Sequence, residues 1–122
     1  MDNCSLDGSM PFEISGLRKL ERMYFQHNAL TGEIPVELSE LNKLRELDLS
    51  DNGLKGRIPY KIGNMQNLEA FLILSNNFMG FLPQQLDVSG KLQEFNVSSN
   101  RFSFHPPESL QRQKVADVDY RK

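Results

Sequence analysis

Cysteine is nearly missing from this chain of 122 residues, where Cys4 is the only one. A single thiol excludes an intramolecular disulfide and a cysteine-based zinc site. No basic residue lies within several positions of it, so it reads as a small buried hydrophobe rather than a reactive thiol. An excess of charge is missing too. Charged residues make up 25% of the chain and the formal net charge is −2, which gives no electrostatic case for nucleic acid or an acidic membrane. No apolar run reaches the roughly 18 residues a membrane span needs, and no basic stretch leads into an apolar one. Neither a span nor a signal peptide is therefore expected in this chain, and no cofactor is.

What the chain does have is a repeat. Leu20, Leu44, Leu68 and Leu92 recur at a constant step of 24 residues, and other columns keep the same step. The inner apolar pairs are Met23/Phe25, Leu47/Leu49, Phe71/Ile73 and Phe95/Val97. An asparagine follows at Asn28, Asn52, Asn76 and Asn100, then Leu30, Leu54, Phe78 and Phe102, then Gly32, Gly56 and Gly80. Ile34-Pro35, Ile58-Pro59 and Leu82-Pro83 come next, and Leu38 with Leu41 closes one of the turns. Self-similarity at such a period marks a solenoid in which each coil buries its apolar face against its neighbours.

Each column has a physical task in a coil of one turn per repeat. Met23-Tyr24-Phe25 and Leu47-Asp48-Leu49 alternate as a half-buried strand does, so successive turns are expected to stack these strands in parallel. Where the chain turns inward, Asn28, Asn52, Asn76 and Asn100 are expected to form a structural ladder, because an amide both donates and accepts. The glycine allows a bend, and the proline after it has no N–H to leave unpaired. Leu38 and Leu41, three apart, fit a short helical turn on the return side.

These columns resemble the leucine-rich repeat. "NxLxGxIPxxLxxLxxL" resembles its plant-type subclass, as in receptor kinase and receptor-like protein ectodomains and in polygalacturonase inhibitors. The resemblance covers about residues 4 to 110. It implies an α/β solenoid, a right-handed superhelix with a short-stranded parallel sheet on its concave face and 3-10 or irregular segments on the convex side. It also implies an extracellular or cell-surface setting, and protein or peptide binding by the concave sheet.

The register breaks at both ends. Met1 occupies the column of Phe25, so the chain begins inside a repeat; near the other end Phe104 replaces the glycine and "HPPESL" the Ile-Pro step. Residues 1–110 are read as about four full repeats after a partial one, and the polar residues 111–122 as a tail or cap. The family's paired-cysteine cap, a kinase signature and a membrane segment are missing, so a fragment of a larger receptor-type ectodomain is expected. End-to-end self-association through uncovered ends is a further expectation.

Outward strand positions line the concave wall. Adjacent turns lie about 4.8 Å apart, so neighbours in one column touch. Arg22 falls beside Glu46, and Glu21, Arg45 and Glu69 alternate in sign; such lateral pairs are worth a few tenths of a kcal/mol each. Tyr24 beside Asp48 and Asp51 offers contact area with fixed charge. "AFLILS", residues 70–75, breaks the alternation and turns Leu72 and Leu74 outward. Arg22, Tyr24, Gln26, Glu46, Asp48, Asp51, Leu72 and Leu74 are the expected partner contacts. The convex column Phe12, Val36 and Tyr60 reads as local packing.

Catalysis finds little support. His27 beside Asp51 has the form of a base with its orienting acid, and Ser50 and Ser75 lie nearby, yet an open sheet excludes no water and spends its N–H groups on the ladder. Asp48 and Asp51 do not supply the six or more oxygens calcium prefers; no metal site is assigned. The sequons Asn3-Cys4-Ser5 and Asn96-Val97-Ser98 mark Asn3 and Asn96 as candidate glycosylation sites. The expected function is non-enzymatic recognition. Inhibition of a secreted cell-wall-degrading glycosidase, implied by the resemblance to polygalacturonase inhibitors, is the first alternative, and an inert spacer the second.

Overall fold

The computed structural model describes residues 7–83, 86 and 91–102. Cys4, Asn3, the start of the chain, the altered turn after residue 102 and the tail at 111–122 lie outside these residues.

The alternating triplets become short strands: β2 (Arg22–Tyr24), β4 (Glu46–Asp48), β6 (Ala70–Leu72) and β8 (Glu94–Asn96). They pair in parallel in the order β2-β4-β6-β8, with Met23 opposite Leu47, Leu47 opposite Phe71 and Phe71 opposite Phe95. Backbone bonds continue past the strands. Phe25 N–H donates to Asp48 O at 2.8 Å, and His27 N–H to Ser50 O at 3.0 Å.

A second sheet was not foreseen from the sequence. Its strands are β1 (Asp7–Ser9), β3 (Ala29–Gly32), β5 (Gly53–Arg57), β7 (Asn77–Gly80) and β9 (Arg101–Phe102), all parallel and in that order. β1, β3, β5 and β7 run through the glycine column, and Gly8, Gly32, Gly56 and Gly80 have φ between +77° and +82°. The glycine is therefore a left-handed step within or at the end of a strand, a conformation that costs other residues about 1–2 kcal/mol. A Cβ on Gly56 would also meet the Glu33 side chain at 2.8 Å, so Glu33 lies directly across that backbone.

The return path is a 3-10 turn in three coils, at Phe12–Gly16, Val36–Glu40 and Tyr60–Asn64, each following a proline. Pro11, Pro35 and Pro59 fit there because their carbonyls accept the first turn bond while no N–H is wasted. Leu38, Leu41, Leu44, Leu47, Leu49 and Leu54 are fully buried between the sheets and the turns. Further along, Phe71 stacks on Phe95 with centroids 6.2 Å apart, and Phe78 on Phe102 at 6.3 Å. Phe95, Val97 and Phe102 are also buried, so the last described coil exposes no bare core, whereas Leu17 at the first is 55% exposed.

The asparagine column ties coil to coil. Asn76 Nδ2 donates to Ile73 O and Leu74 O of its own coil and to Leu49 O of the coil before, at 3.1, 3.3 and 2.9 Å. Its Oδ1 accepts Leu54 N–H at 3.1 Å. Asn52 and Asn100 repeat the arrangement, and Asn28 donates to Phe25 O and Gln26 O. The residue just before each asparagine, His27, Asp51, Ser75 or Ser99, is left-handed with φ between 57° and 60°. That step turns the chain from the wall into the core, where the amide collects carbonyls that have left the ladder.

Candidate functional site

The concave wall is the outer surface of β2, β4, β6 and β8. Register places Arg22 beside Glu46, Glu46 beside Ala70 and Ala70 beside Glu94; the next row joins Tyr24, Asp48, Leu72 and Asn96. Asp48 and Leu72 are thus neighbours on one face, both half-buried.

Most of the charge on this wall is compensated by the coil next door. Arg22 Nε lies 3.5 Å from Glu46, and Tyr24 donates its hydroxyl to the same carboxylate. Tyr24 therefore engages Glu46 diagonally, not the Asp48 beside it in the register. That hydrogen bond is the main reason its phenol titrates above the ordinary value, with burial and the negative charge of Glu46 adding to it. At neutral pH the phenol is a fixed donor. Arg45 makes a two-pronged bond to Glu69 at 3.1 and 3.2 Å and reaches Glu21 at 3.5 Å. Its hydrogen bonds chiefly hold the Glu69 carboxyl below the usual carboxylate range and raise the guanidinium further. His27 Nδ1 lies 2.8 Å from Asp51 Oδ2, with both side chains more than half exposed.

Asp48 Oδ1 accepts the Ser50 N–H at 3.0 Å, while cross-coil bonding continues on either side of it through Leu49 N–H to Leu72 O and Asp51 N–H to Leu74 O. Asn96 does the same with Ser98, accepting its N–H at 3.0 Å and its hydroxyl at 2.7 Å. Leu72 and Leu74 are half-buried rather than fully outward, and Gln26 is half-buried as well. Ser50 between the rows is 6% exposed, and its hydroxyl has no hydrogen-bond partner. A buried serine flanked by strands does not provide a reachable nucleophile for His27. Among the described residues no three His, Cys, Asp or Glu side chains come together as metal ligands, and no helix is long and apolar enough to cross a membrane.

Phe12, Val36 and Tyr60 are 58%, 43% and 71% exposed. They follow the prolines at the start of each 3-10 turn, and so stand outside the leucine core.

A coil of strand, asparagine turn, second strand and proline-started 3-10 turn, repeated on a leucine core, defines a leucine-rich-repeat solenoid. Leucine-rich-repeat family models match residues 3–54 and 91–113, and the chain belongs to the plant-type leucine-rich-repeat proteins. Among curated proteins none matches its sequence. Among solved structures it is similar to the plant peptide hormone receptor RGFR1 in complex with RGF2, at 32% identity and a TM-score of 0.87 over 97% of this chain. It is similar also to the Arabidopsis receptor kinase HAESA in complex with the peptide hormone IDA and the co-receptor SERK1, at 34% identity, 0.85 and 93%. The BIR3–SERK2 complex of Arabidopsis thaliana gives 29% identity and 0.83 over 96% of this chain. The chain spans 20%, 19% and 66% of those three relatives.

Proposed function

We propose that this chain is a non-enzymatic recognition module that binds a protein or peptide segment along its concave sheet, as part of a larger receptor-type ectodomain. The observation that carries the reading is the row Tyr24, Asp48 and Leu72, which sets a fixed phenol, a carboxylate and an apolar side chain side by side on one rigid wall. Arg22, Gln26, Glu46, Asp51 and Leu74 surround that row as further contacts. Solved relatives include receptors crystallised with peptide hormones and with a co-receptor, which supports a partner of the same kind. The solenoid is taken to run over 1–110, with 111–122 as a polar tail or cap.

Peptides selected from a random library on the wild-type chain provide the test. Tyr24→Ala with Asp48→Ala is expected to weaken the selected peptides about tenfold or more, as loss of a central aromatic contact does. Unchanged affinity would sink the concave assignment. A glycan on Asn96 would stand on the same wall and confine binding to the Tyr24 end; loss of mass on glycosidase treatment of natively expressed protein tests that. Self-association through the chain ends is tested by light scattering at rising concentration. No observation favours the glycosidase inhibitor over simple recognition, since Glu46 and Asp51 are already engaged by Arg22, Tyr24 and His27.

A further inference from the structure

The second sheet handles charge differently from the concave one. Across β5, β7 and β9, Arg57 stands opposite Met79, and Met79 opposite Arg101. Lys55 precedes Arg57 by two positions on the same outward side, and all four residues are exposed. Arg22 and Arg45 on the concave wall are neutralised by carboxylates of adjacent coils. Among the described residues Lys55, Arg57 and Arg101 form no ion pair. Among the described side chains Glu33 is an acidic neighbour on this face, and it is folded over Gly56.

Next to these cations lies an apolar cleft of about 450 Å³, lined by Arg57, Pro59, Tyr60, Phe81 and Pro83 among others. Tyr60 is 71% exposed and Phe81 57%. Arg57 is held there by its own stem, because a Cβ on Gly80 would come within 3.0 Å of its Cγ and 3.3 Å of its Nε. The missing side chain at Gly80, whose φ is +79°, is what lets the arginine cross the β7 backbone. The result is an aromatic-walled cleft edged by Arg57, with Arg101 two strands and roughly 10 Å across the sheet and Lys55 two positions back along β5.

We propose that this lateral face is a second docking surface, whose occupant is an acidic protein segment. An aromatic or branched apolar side chain of that segment sits between Tyr60 and Phe81, and flanking carboxylates pair with Arg57, Lys55 and Arg101. Charge complementarity selects the partner: cations that form no ion pair among the described residues repel a basic segment and attract an acidic one. The cleft selects protein over a plain polyanion, because its walls reward burial of an apolar side chain and a polyanion lacks one. The surface is separate from the concave wall, so the two assignments stand or fall independently.

The test uses the full chain and a short synthetic peptide with glutamates flanking a single Phe, followed by fluorescence anisotropy. Its controls are the same peptide with Ser for Phe, the same peptide with Lys for Glu, and a heparin fragment as a plain polyanion. Saturable binding of the Glu/Phe peptide is expected, weakened about tenfold by Lys55→Glu with Arg57→Glu and by Tyr60→Ser, and unaffected by Tyr24→Ala with Asp48→Ala. Where the charge reversal lowers the melting temperature, Arg57→Gln keeps the stem over Gly80 and is expected to show the same direction of loss. No saturable binding overturns the proposal. So does equal affinity for the Ser peptide or the heparin fragment, or a loss caused by the concave variant instead of the lateral ones.

Discussion

The concave sheet pairs residues 24 apart, Tyr24 with Asp48 and Asp48 with Leu72, whereas the second sheet pairs Lys55 with Asn77 and Arg57 with Met79, which are 22 apart. The first spacing equals the repeat, so equivalent side chains line up and cross-coil charge pairs form almost automatically. The second is staggered by two positions, and equivalent side chains fall obliquely: Glu33 lies over Gly56, and Arg57 over Gly80. One chain thus builds a wall whose charges answer one another and a lateral face whose cations do not. In the concave sheet side chains carry the pattern; in the second, glycine makes room for a neighbour.

The largest expected effect lies in the core beneath both sheets. Leu47→Ala should destabilise the fold by about 2–5 kcal/mol in urea denaturation, while Leu17→Ala, at an exposed position, should change little. Equal effects would break the assignment of the buried face. Asn76→Ala should cost about 1–3 kcal/mol by leaving buried carbonyls and the Leu54 N–H unpaired; a melting temperature equal to wild type would remove the ladder as the tie between coils.

Gly56→Ala sharpens the contrast between the sheets. It should cost about 1–2 kcal/mol from its left-handed backbone alone, plus the displacement of Glu33. Glu33→Ala in the same chain should recover the second part only, whereas Gly8→Ala meets nothing within 4 Å and should show the backbone cost by itself. The smallest effect is the pH dependence of the concave charge ladder. Arg45 holds the folded-state value of Glu69 below that of the unfolded chain, so its contribution is complete above the unfolded value and is lost as pH falls through the folded one. The gap in melting temperature between wild type and Glu69→Gln should be small near neutrality and close on acidification below the ordinary carboxylate range.

The concave sheet was legible because Met23-Tyr24-Phe25 and its successors alternate at the strand period and at a fixed step. Its side-chain columns, including Arg45 between Glu21 and Glu69, follow from that step alone. The second sheet was hidden. Ala29–Gly32 and Asn77–Gly80 bury only Leu30 and Phe78 on the inner side, and a strand with one inward side chain has no alternation to read. Gly56 looked like a bend because a sequence does not distinguish a left-handed step inside a strand from a turn. The Tyr24 hydroxyl went to Glu46 instead of Asp48 because a long side chain reaches diagonally across a sheet, which column alignment ignores. The exposure of Phe12, Val36 and Tyr60 could have been suspected from their place directly after proline at a 3-10 start, outside the leucine columns.

The most direct test of the concave reading is methyl NMR of the wild-type chain during titration with a library-selected peptide. The Leu72 and Leu74 methyl resonances should shift and saturate with the peptide while those of exposed Leu17 and Met79 stay in place. Shifts at Leu17 or Met79 with Leu72 and Leu74 unmoved would contradict it.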